Sequence, residues 1–199
     1  MENIIQAKKL TKVYGEKETS VTALDNIDVQ FNENEFTAIM GPSGSGKSTL
    51  LHCLAGLDRP TSGQILLKDQ DISTLNDKQL TKIRRDSFGF VFQAFNLIPT
   101  LTAQENITLP ASIAGRKPDM DWIKQVVETV DISDRLTHRP NELSGGQQQR
   151  VAAARAMATK PEVIFADEPS GNLDSKSSKE LLTFMKSVVE ELNQTIIMV

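Results

Sequence analysis

The sequence predicts an α/β protein with a mostly parallel core sheet, an N-terminal antiparallel β subdomain and an inserted helical subdomain. Strands and helices alternate around the apolar segments 36–40, 163–166 and 195–199, an order typical of a parallel sheet covered by helices. Residues 27–31 instead alternate apolar and polar side chains, as in a strand with one solvated face. Between residues 96 and 140 the pattern turns helical without strong strands.

The core elements follow a regular order. The strand over 36–40 leads through a glycine-rich segment into a helix over 47–57, which is the strand, loop and helix order of a phosphate-binding unit. The strands at 163–166 and 195–199 are separated by a helix over about 175–193. An apolar stripe at helical spacing in this helix is assigned to the core: Leu181, Leu182, Met185, Val188, Val189 and Leu192.

We expect one domain over 1–199, in which the helical subdomain covers about 96–155. A chain of 199 residues is long enough to bury about 70% of its unfolded surface without disulfides. One helical face in the subdomain is apolar and is expected to pack inward: Trp122, Ile123, Val126, Val127 and Val130.

The composition of the chain limits the cellular compartment and the binding partners that can be expected. The single cysteine, Cys53, lies in an apolar run, where a buried thiol in a reducing compartment is expected. The chain shows neither a secretion signal nor a run of about 18 apolar residues, so we expect a cytoplasmic protein that does not span a membrane by itself. The net charge of -4 argues against nucleic acid as a partner, and the short basic cluster 82–85 reads as a solvated helix face.

The segment 41–48 fits the Walker A pattern completely and lies between a predicted strand and a predicted helix, which indicates a P-loop NTPase. Its glycines allow backbone N–H groups to face phosphate oxygens. Lys47 is expected to reach the β and γ oxygens, with the Ser48 hydroxyl on Mg²⁺ and Thr49 near the α-phosphate. The nucleotide-binding residues predicted here are Gly41, Pro42, Ser43, Gly44, Ser45, Gly46, Lys47, Ser48 and Thr49.

Two adjacent acids, Asp167 and Glu168, follow the apolar strand at 163–166. The carboxyl end of a strand in an open α/β sheet is where ligands bind. Because adjacent side chains on a strand point in opposite directions, the two acids should differ in role. Asp167 suits the Mg²⁺ shell, and Glu168 suits activation of a water molecule as general base.

A second glycine-rich turn, Leu143 to Gln147, opens another helix. Ser144 occupies the expected N-cap position, followed by Gly145 and Gly146. Unpaired backbone N–H groups and the positive end of the helix dipole make such a turn a second anion site.

These motifs resemble those of ATP-binding cassette (ABC) ATPases, and the resemblance runs over essentially the whole chain. It is also carried by Tyr14 within 12–15, by Gln93 at the end of 90–93, and by the D-loop-like segment 170–174. The segments 57–63, 95–99 and 171–174 are similar to those of the lipoprotein-releasing, macrolide-efflux and antimicrobial-peptide-resistance group of bacterial ABC ATPases.

The resemblance implies roles for individual residues that the spacing of the motifs does not indicate. Tyr14 would stack on the adenine of ATP. Gln93 would contact the metal or the attacking water and report the nucleotide state to the transport subunits. Asp174 would belong to the D-loop at the nucleotide site. Two cassettes would pair head to tail, so that Ser144 and Gly146 of one copy cap the γ-phosphate bound by the other.

The resemblance also implies a biological setting. The chain would be a soluble, homodimeric ATPase bound to integral membrane permease subunits at the inner face of the cell membrane. It would power a transporter or permease complex through ATP-driven dimerisation.

A switch histidine of the family would follow the strand 195–199, where this chain ends. The two histidines present, His52 and His138, do not match that position and are interpreted as structural. We therefore expect the domain to be truncated at its C-terminus, and we expect this chain to bind MgATP but to hydrolyse it poorly.

Two other functions stay open. The first is a soluble family member of DNA repair or translation, but a repair cassette would contain a long coiled coil and a translation factor two cassettes, and the sequence has neither feature. The second is a nucleotide-gated binding module with slow or absent hydrolysis, against which the intact Glu168 counts.

Overall fold

The computed structural model describes residues 2–171 and 175–199. Asp174, which was predicted to lie at the nucleotide site, falls outside the described residues, as do the neighbouring positions 172 and 173. In chain order the elements are β1 (Asn3–Tyr14), β2 (Val21–Asn32), β3 (Phe36–Ala38), α1 (Lys47–Leu54), β4 (Ser62–Leu67), β5 (Gln70–Asp71), α2 (Asp77–Ser87), β6 (Phe88–Phe92), α3 (Ala103–Ile113), α4 (Met120–Thr129), α5 (Gly145–Met157), β7 (Val163–Asp167), α6 (Ser175–Leu192) and β8 (Ile196–Met198). Single 3₁₀ turns lie at Lys17–Thr19, Ser133–Arg135 and Pro140–Glu142.

The N-terminal sheet is antiparallel, as predicted. Its strand order is β2-β1-β4-β5, and each neighbouring pair runs antiparallel. The side chains of Ile5, Ala7 and Leu10 on β1 are fully buried, whereas Lys8 and Lys9 are exposed. One face of this sheet therefore covers the core while the other meets solvent.

The second sheet is parallel throughout, which confirms the predicted core. Its order is β3-β8-β7-β6, with parallel pairing at every step. On β7, Val163 and Phe165 belong to the apolar cluster shared with α1 and the N-terminal sheet, whereas Ile164 and Ala166 belong to the cluster shared with α5 and α6. Both faces of β7 are thus covered, which is why its sequence is uniformly apolar.

Helices α3, α4 and α5 occupy the stretch after β6. The apolar face expected in α4 is buried at Ile123, Val126 and Val127. Trp122 is half-buried, and its indole Nε1 donates to the carbonyl of Met157 at 2.8 Å. Across 2–171 and 175–199, no helix has the length and apolar character needed to cross a bilayer.

Two predicted boundaries are wrong by a few residues. β3 ends at Ala38 rather than at residue 40. This edge strand pairs only with β8, and its last backbone hydrogen bond runs from the N–H of Ile39 to the carbonyl of Met198. The next residue, Met40, is 88% exposed. Helix α1 ends at Leu54 rather than at residue 57.

The early end of α1 has a local cause. Gly56 adopts a φ of 61°, a left-handed conformation that terminates helices. Its N–H bonds the carbonyl of Cys53, and the N–H of Leu57 reaches back to the carbonyl of His52. These two bonds form a Schellman cap, and the buried Cys53 beside it is a core residue whose thiol pKa burial raises to about 11.

The core face of α6 also differs from the prediction at two positions. Leu182 is 36% exposed, while Phe184, which was not assigned to the core, is 8% exposed. Leu181, Phe184, Met185 and Val188 form the buried stripe, because these positions follow the i, i+3, i+4, i+7 spacing of one helix face.

A buried amide holds the loop that joins β6 to α3. Asn106 on α3 is fully buried. Its side-chain oxygen accepts from the N–H of Ile98 at 2.8 Å, and its side-chain nitrogen lies 3.0 to 3.2 Å from the carbonyls of Ile98, Leu101 and Thr102. The side chain of Asn106 thus contacts four backbone groups of this loop and of the start of α3, one N–H and three carbonyls.

Replacing Asn106 by Ala should lower the free energy of unfolding by about 2 to 3 kcal/mol, because buried loop groups lose their partners. Urea denaturation monitored by circular dichroism measures the change. The matched control is Gln104→Ala, an exposed position on the same helix, which should change stability by less than about 0.5 kcal/mol. Equal effects of the two substitutions would contradict the assignment.

Candidate nucleotide site

The loop at 41–46 joins β3 to α1, which begins at Lys47. Gly46 adopts a φ of 87°, and a Cβ built there would lie 2.3 Å from the carbonyl oxygen of Ala23 on β2. The loop is therefore pressed against the N-terminal sheet at a point where only glycine fits. Gly44 also has a positive φ, of 79°, but its surroundings within the described residues are open.

The part of the loop that precedes α1 faces solvent. Its exposed residues are Gly41, Pro42, Ser43, Gly44 and Ser45. The Lys47 ammonium donates to the carbonyl of Pro42 at 2.9 Å, which holds the positive charge over the loop. A concave backbone with a lysine folded over it has the chemistry of a phosphate cradle.

Tyr14, at the end of β1, lies beside the phosphate loop and is 42% exposed. Its hydroxyl donates to Asp58 at 2.5 Å, and the Lys12 ammonium lies 2.6 Å from the other oxygen of Asp58 and 4.7 Å from the centre of the Tyr14 ring. The hydrogen bond to Asp58, together with burial, raises the pKa of Tyr14, while a side-chain hydrogen bond with Thr49 acts in the opposite direction. The ring is thus held in one orientation as a flat surface next to α1.

β7 delivers Asp167 and Glu168 to the carboxyl edge of the parallel sheet. One oxygen of Asp167, Oδ2, lies 2.9 Å from Nε2 of His52 on α1. The other oxygen, Oδ1, is buried and has no hydrogen-bond partner within the part of the chain that the structure describes. Glu168 is exposed and has a φ of 45°, a left-handed backbone that costs a non-glycine residue about 1 to 2 kcal/mol.

A cavity of about 320 Å³ brings together the predicted metal residues Ser48, Gln93 and Asp167 and the predicted base Glu168, whereas Lys47 does not line it. Its lining consists of Ser48, Phe92, Gln93, Ala94, Asp167 and Glu168. The hydroxyl, amide and carboxylate oxygens in this set are hard ligands of the kind Mg²⁺ prefers. The unpartnered Oδ1 of Asp167 fits a site that a cation or its water shell would complete.

The described residues contain no group of three or more His, Cys, Asp or Glu side chains that could hold a metal ion by themselves.

Two further contacts connect the cavity to its surroundings. A Cβ built on Gly171 would lie 2.8 Å from Nε2 of Gln93, so a larger residue at position 171 would displace the Gln93 side chain. The side chain of Gln149 on α5, which is 4% exposed, donates to the carbonyl of Pro169 at 2.7 Å. The segment that follows Glu168 is therefore packed against both Gln93 and α5.

The predicted N-cap of α5 is confirmed. The Ser144 hydroxyl accepts from the N–H of Gln147 at 3.3 Å, and the Gln147 side chain accepts from the N–H of Ser144 at 2.9 Å. Ser144, Gly145 and Gly146 are exposed, and side-chain positions built on both glycines meet open space among the described residues. None of the four lines the cavity beside Asp167, so the structure keeps the second glycine-rich turn apart from it.

A second, apolar groove of about 550 Å³ lies where α2 and β6 meet α3 and α5. Leu57, Leu109 and Ile113 contribute apolar surface, and Ile113 is 75% exposed. Arg155 lines the same groove and donates through its guanidinium to the carbonyls of residues 95 and 96, at 2.8 and 2.6 Å. The groove thus borders the chain that leads away from Gln93.

The sequence did not indicate His52, Lys12 or Asp58 as parts of the site. His52 was interpreted as structural, yet it contacts Asp167. A signal existed, because His52 follows Ser48 by four residues and so lies on the same face of α1. No comparable signal connects Lys12 to Asp58, which are far apart in the chain and meet only through folding.

A phosphate loop opening α1, together with acids at the end of a neighbouring parallel strand, defines a P-loop nucleotide hydrolase. The ABC transporter family model matches residues 24–171. The chain belongs to this family and is an ABC-type ATPase.

Relatives in curated collections and a solved structure agree with this assignment. The chain is 44% identical to the lipoprotein-releasing system ATP-binding protein LolD of Cytophaga hutchinsonii, over 100% of this chain and 90% of LolD. It is 45% identical to the macrolide export ATP-binding/permease protein MacB of Marinobacter nauticus, over 98% of this chain and 31% of MacB. It also matches the dimeric post-hydrolysis structure of MJ0796 of Methanocaldococcus jannaschii, bound to ADP and Pi, with a TM-score of 0.82, 44% identity and coverage of 98% of this chain and 87% of MJ0796.

Gly46→Ala should abolish measurable ATP binding, because the new Cβ would collide with the Ala23 carbonyl and displace the loop. Gly115→Ala is the matched control, since it adds the same methyl group at a positive φ but in open space and outside the phosphate loop, and it should keep ATP affinity within about tenfold of the original, or 1.4 kcal/mol. Isothermal titration calorimetry with ATP measures both. Similar affinities for the two variants would show that the Ala23 contact does not shape the loop.

Proposed function

We propose that this cassette binds and hydrolyses MgATP as a head-to-tail homodimer and thereby powers a membrane permease complex from the cytoplasmic face of the cell membrane. The observation that carries the proposal is the single cavity lined by Ser48, Gln93, Asp167 and Glu168. It joins the start of the phosphate-loop helix to the ends of two parallel strands, where the reacting phosphate of a P-loop enzyme would lie.

In this proposal the phosphate loop holds the triphosphate through the backbone N–H groups of residues 41–46, and Lys47 moves from the Pro42 carbonyl to the β and γ oxygens. Ser48, Gln93 and Asp167 would hold Mg²⁺ or its water shell. The chemistry that Mg²⁺ supplies when bound is neutralisation of charge on the phosphate oxygens. Tyr14, held by Asp58 and Lys12, offers its ring to the adenine.

Glu168 is the proposed general base. It lies at the end of β7 in the same cavity as Gln93, so a water molecule between the two side chains could give its proton to the carboxylate and be oriented by the amide. A positioned general base contributes about 10²- to 10⁴-fold in rate.

The second half of each site would come from another copy of the chain. Ser144, Gly145, Gly146 and Gln147 form an exposed, capped helix start that lies outside the cavity of their own chain. Exposed N–H groups at a helix N-terminus suit an anionic partner such as a γ-phosphate. The relative MJ0796 is dimeric in its ADP- and Pi-bound structure, which supports pairing of this chain in the same way.

The apolar groove beside α3 is the proposed docking site for a helix of the permease. Its exposed side chains, Leu57 and Ile113, suit the apolar face of an amphipathic helix. Arg155 connects this surface to residues 95 and 96, just after Gln93. A partner in the groove would therefore be sensitive to changes at the nucleotide cavity.

Glu168→Gln should trap an ATP-bound dimer, because ATP still binds while the general base is missing. ATP turnover should fall by about 10²- to 10⁴-fold, and size-exclusion chromatography with light scattering should show a dimer with ATP and a monomer without it. Glu128→Gln, which changes an acid on the exposed side of α4, serves as control and should behave like the original chain. Unchanged turnover in Glu168→Gln would remove Glu168 from the role of base.

Adding Gly146→Asp to Glu168→Gln should prevent the ATP-dependent dimer. The new carboxylate has room in the monomer but would oppose the partner's phosphate charge. A dimer that still forms with ATP would contradict the head-to-tail arrangement.

Ile113→Glu should disrupt capture of the permease while leaving ATP affinity of the isolated cassette unchanged, since the charge would be placed in the groove and away from the cavity. Co-purification of the tagged cassette with its membrane subunit from detergent extracts measures the first effect, and calorimetry the second. Met120→Glu, at a 50% exposed site outside the groove, is the control and should leave capture intact. Equal capture by both variants would place the docking site elsewhere.

A further inference from the structure

His52 and Asp167 join two elements that meet only in the folded protein. His52 lies on α1, one helical turn after Ser48, and Asp167 is the last residue of β7. Nε2 of His52 and Oδ2 of Asp167 are 2.9 Å apart. The side chains are 37% and 21% exposed, so the contact is partly shielded from solvent.

The two oxygens of Asp167 have different surroundings. Oδ2 is engaged by His52, whereas Oδ1 is buried without a hydrogen-bond partner in the described chain. A carboxylate held through one oxygen loses rotational freedom about its terminal bond, and the other oxygen is thereby confined to one region of space. Asp167 shares its cavity with Ser48, which lies on the same helix as His52.

We propose that His52 is a positioning residue for the nucleotide-bound divalent cation. By holding Oδ2 of Asp167 it reserves Oδ1 for the cation or its bound water. The inference rests on the proposed role of Asp167 in the Mg²⁺ shell. Outer-shell partners of metal ligands typically change metal affinity by about 10- to 100-fold when they are removed, which sets the size of effect to be sought.

The alternative is that His52 only fastens α1 to β7. Such a role would affect folding stability and nucleotide binding with or without metal. A positioning role acts through Asp167 on the metal-dependent part of binding, and it should be recovered by any side chain that places an N–H donor near the same point. Glutamine does so, because its amide nitrogen reaches about as far from the backbone as Nε2 of histidine.

The test compares His52→Leu with His52→Gln in the full chain. Electron paramagnetic resonance measures Mn²⁺ affinity in the presence of a non-hydrolysable ATP analogue, and calorimetry in EDTA measures affinity for the analogue alone. His52→Leu should weaken Mn²⁺ binding by about tenfold or more, with metal-free affinity and Tm unchanged. His52→Gln should restore Mn²⁺ affinity to within about threefold of the original. His52→Ala provides a second apolar variant in case leucine disturbs α1.

Asp167→Asn separates failure of this inference from failure of the proposed function. If Asp167→Asn keeps full Mn²⁺ affinity, the metal role of Asp167 is wrong and the inference fails with it. If Asp167→Asn weakens Mn²⁺ binding while His52→Leu and His52→Ala do not, only the role of His52 is overturned. An equal loss of nucleotide affinity in EDTA, or no recovery of Mn²⁺ affinity with glutamine, would also overturn the role of His52.

In the Asp167→Asn background, His52→Leu should have no further effect on Mn²⁺ affinity, and a full additional loss would contradict action through Asp167.

Discussion

The parallel pairing of β6 with β7 is the constraint on which the site depends. It places Phe92 opposite Asp167. Gln93 and Glu168, the residues that follow these two strands, therefore leave the sheet at the same edge. The pairing is specified by side chains buried on both faces of β7, among them Phe165, whose ring meets Phe88 of β6 edge to face and stacks against Phe90. The proposed site for water activation thus results from apolar packing that has no chemistry of its own.

Local patterns explain why much of the site could be predicted from sequence. The residues around Lys47 and the acid pair Asp167 and Glu168 are each defined within a few positions of the chain, and their elements follow a regular order. Parallel strands then bring such segments to one edge without further information. The alternating pattern that predicted the antiparallel sheet and the cap of α5 by Ser144 are equally local, and both predictions are confirmed.

The features that the sequence did not reveal depend on distant contacts or on single backbone angles. His52 becomes part of the site only through its contact with Asp167, 115 residues away. The polar cluster around Tyr14 likewise depends on Asp58, 44 residues away. The end of α1 depends on the left-handed Gly56. Leu182 was misplaced because it lies about 100° around the helix from Leu181 and so falls outside the buried face.

The left-handed backbone at Glu168 sets the proposed role of this residue as general base against the stability of the fold. Glycine would adopt this φ of 45° without strain, and asparagine more easily than glutamate. Random substitution followed by selection for folding alone would therefore favour replacement of the carboxylate at this position. A descendant that no longer needed hydrolysis would be expected to lose this glutamate early, and its cassette would become more stable as it became inactive.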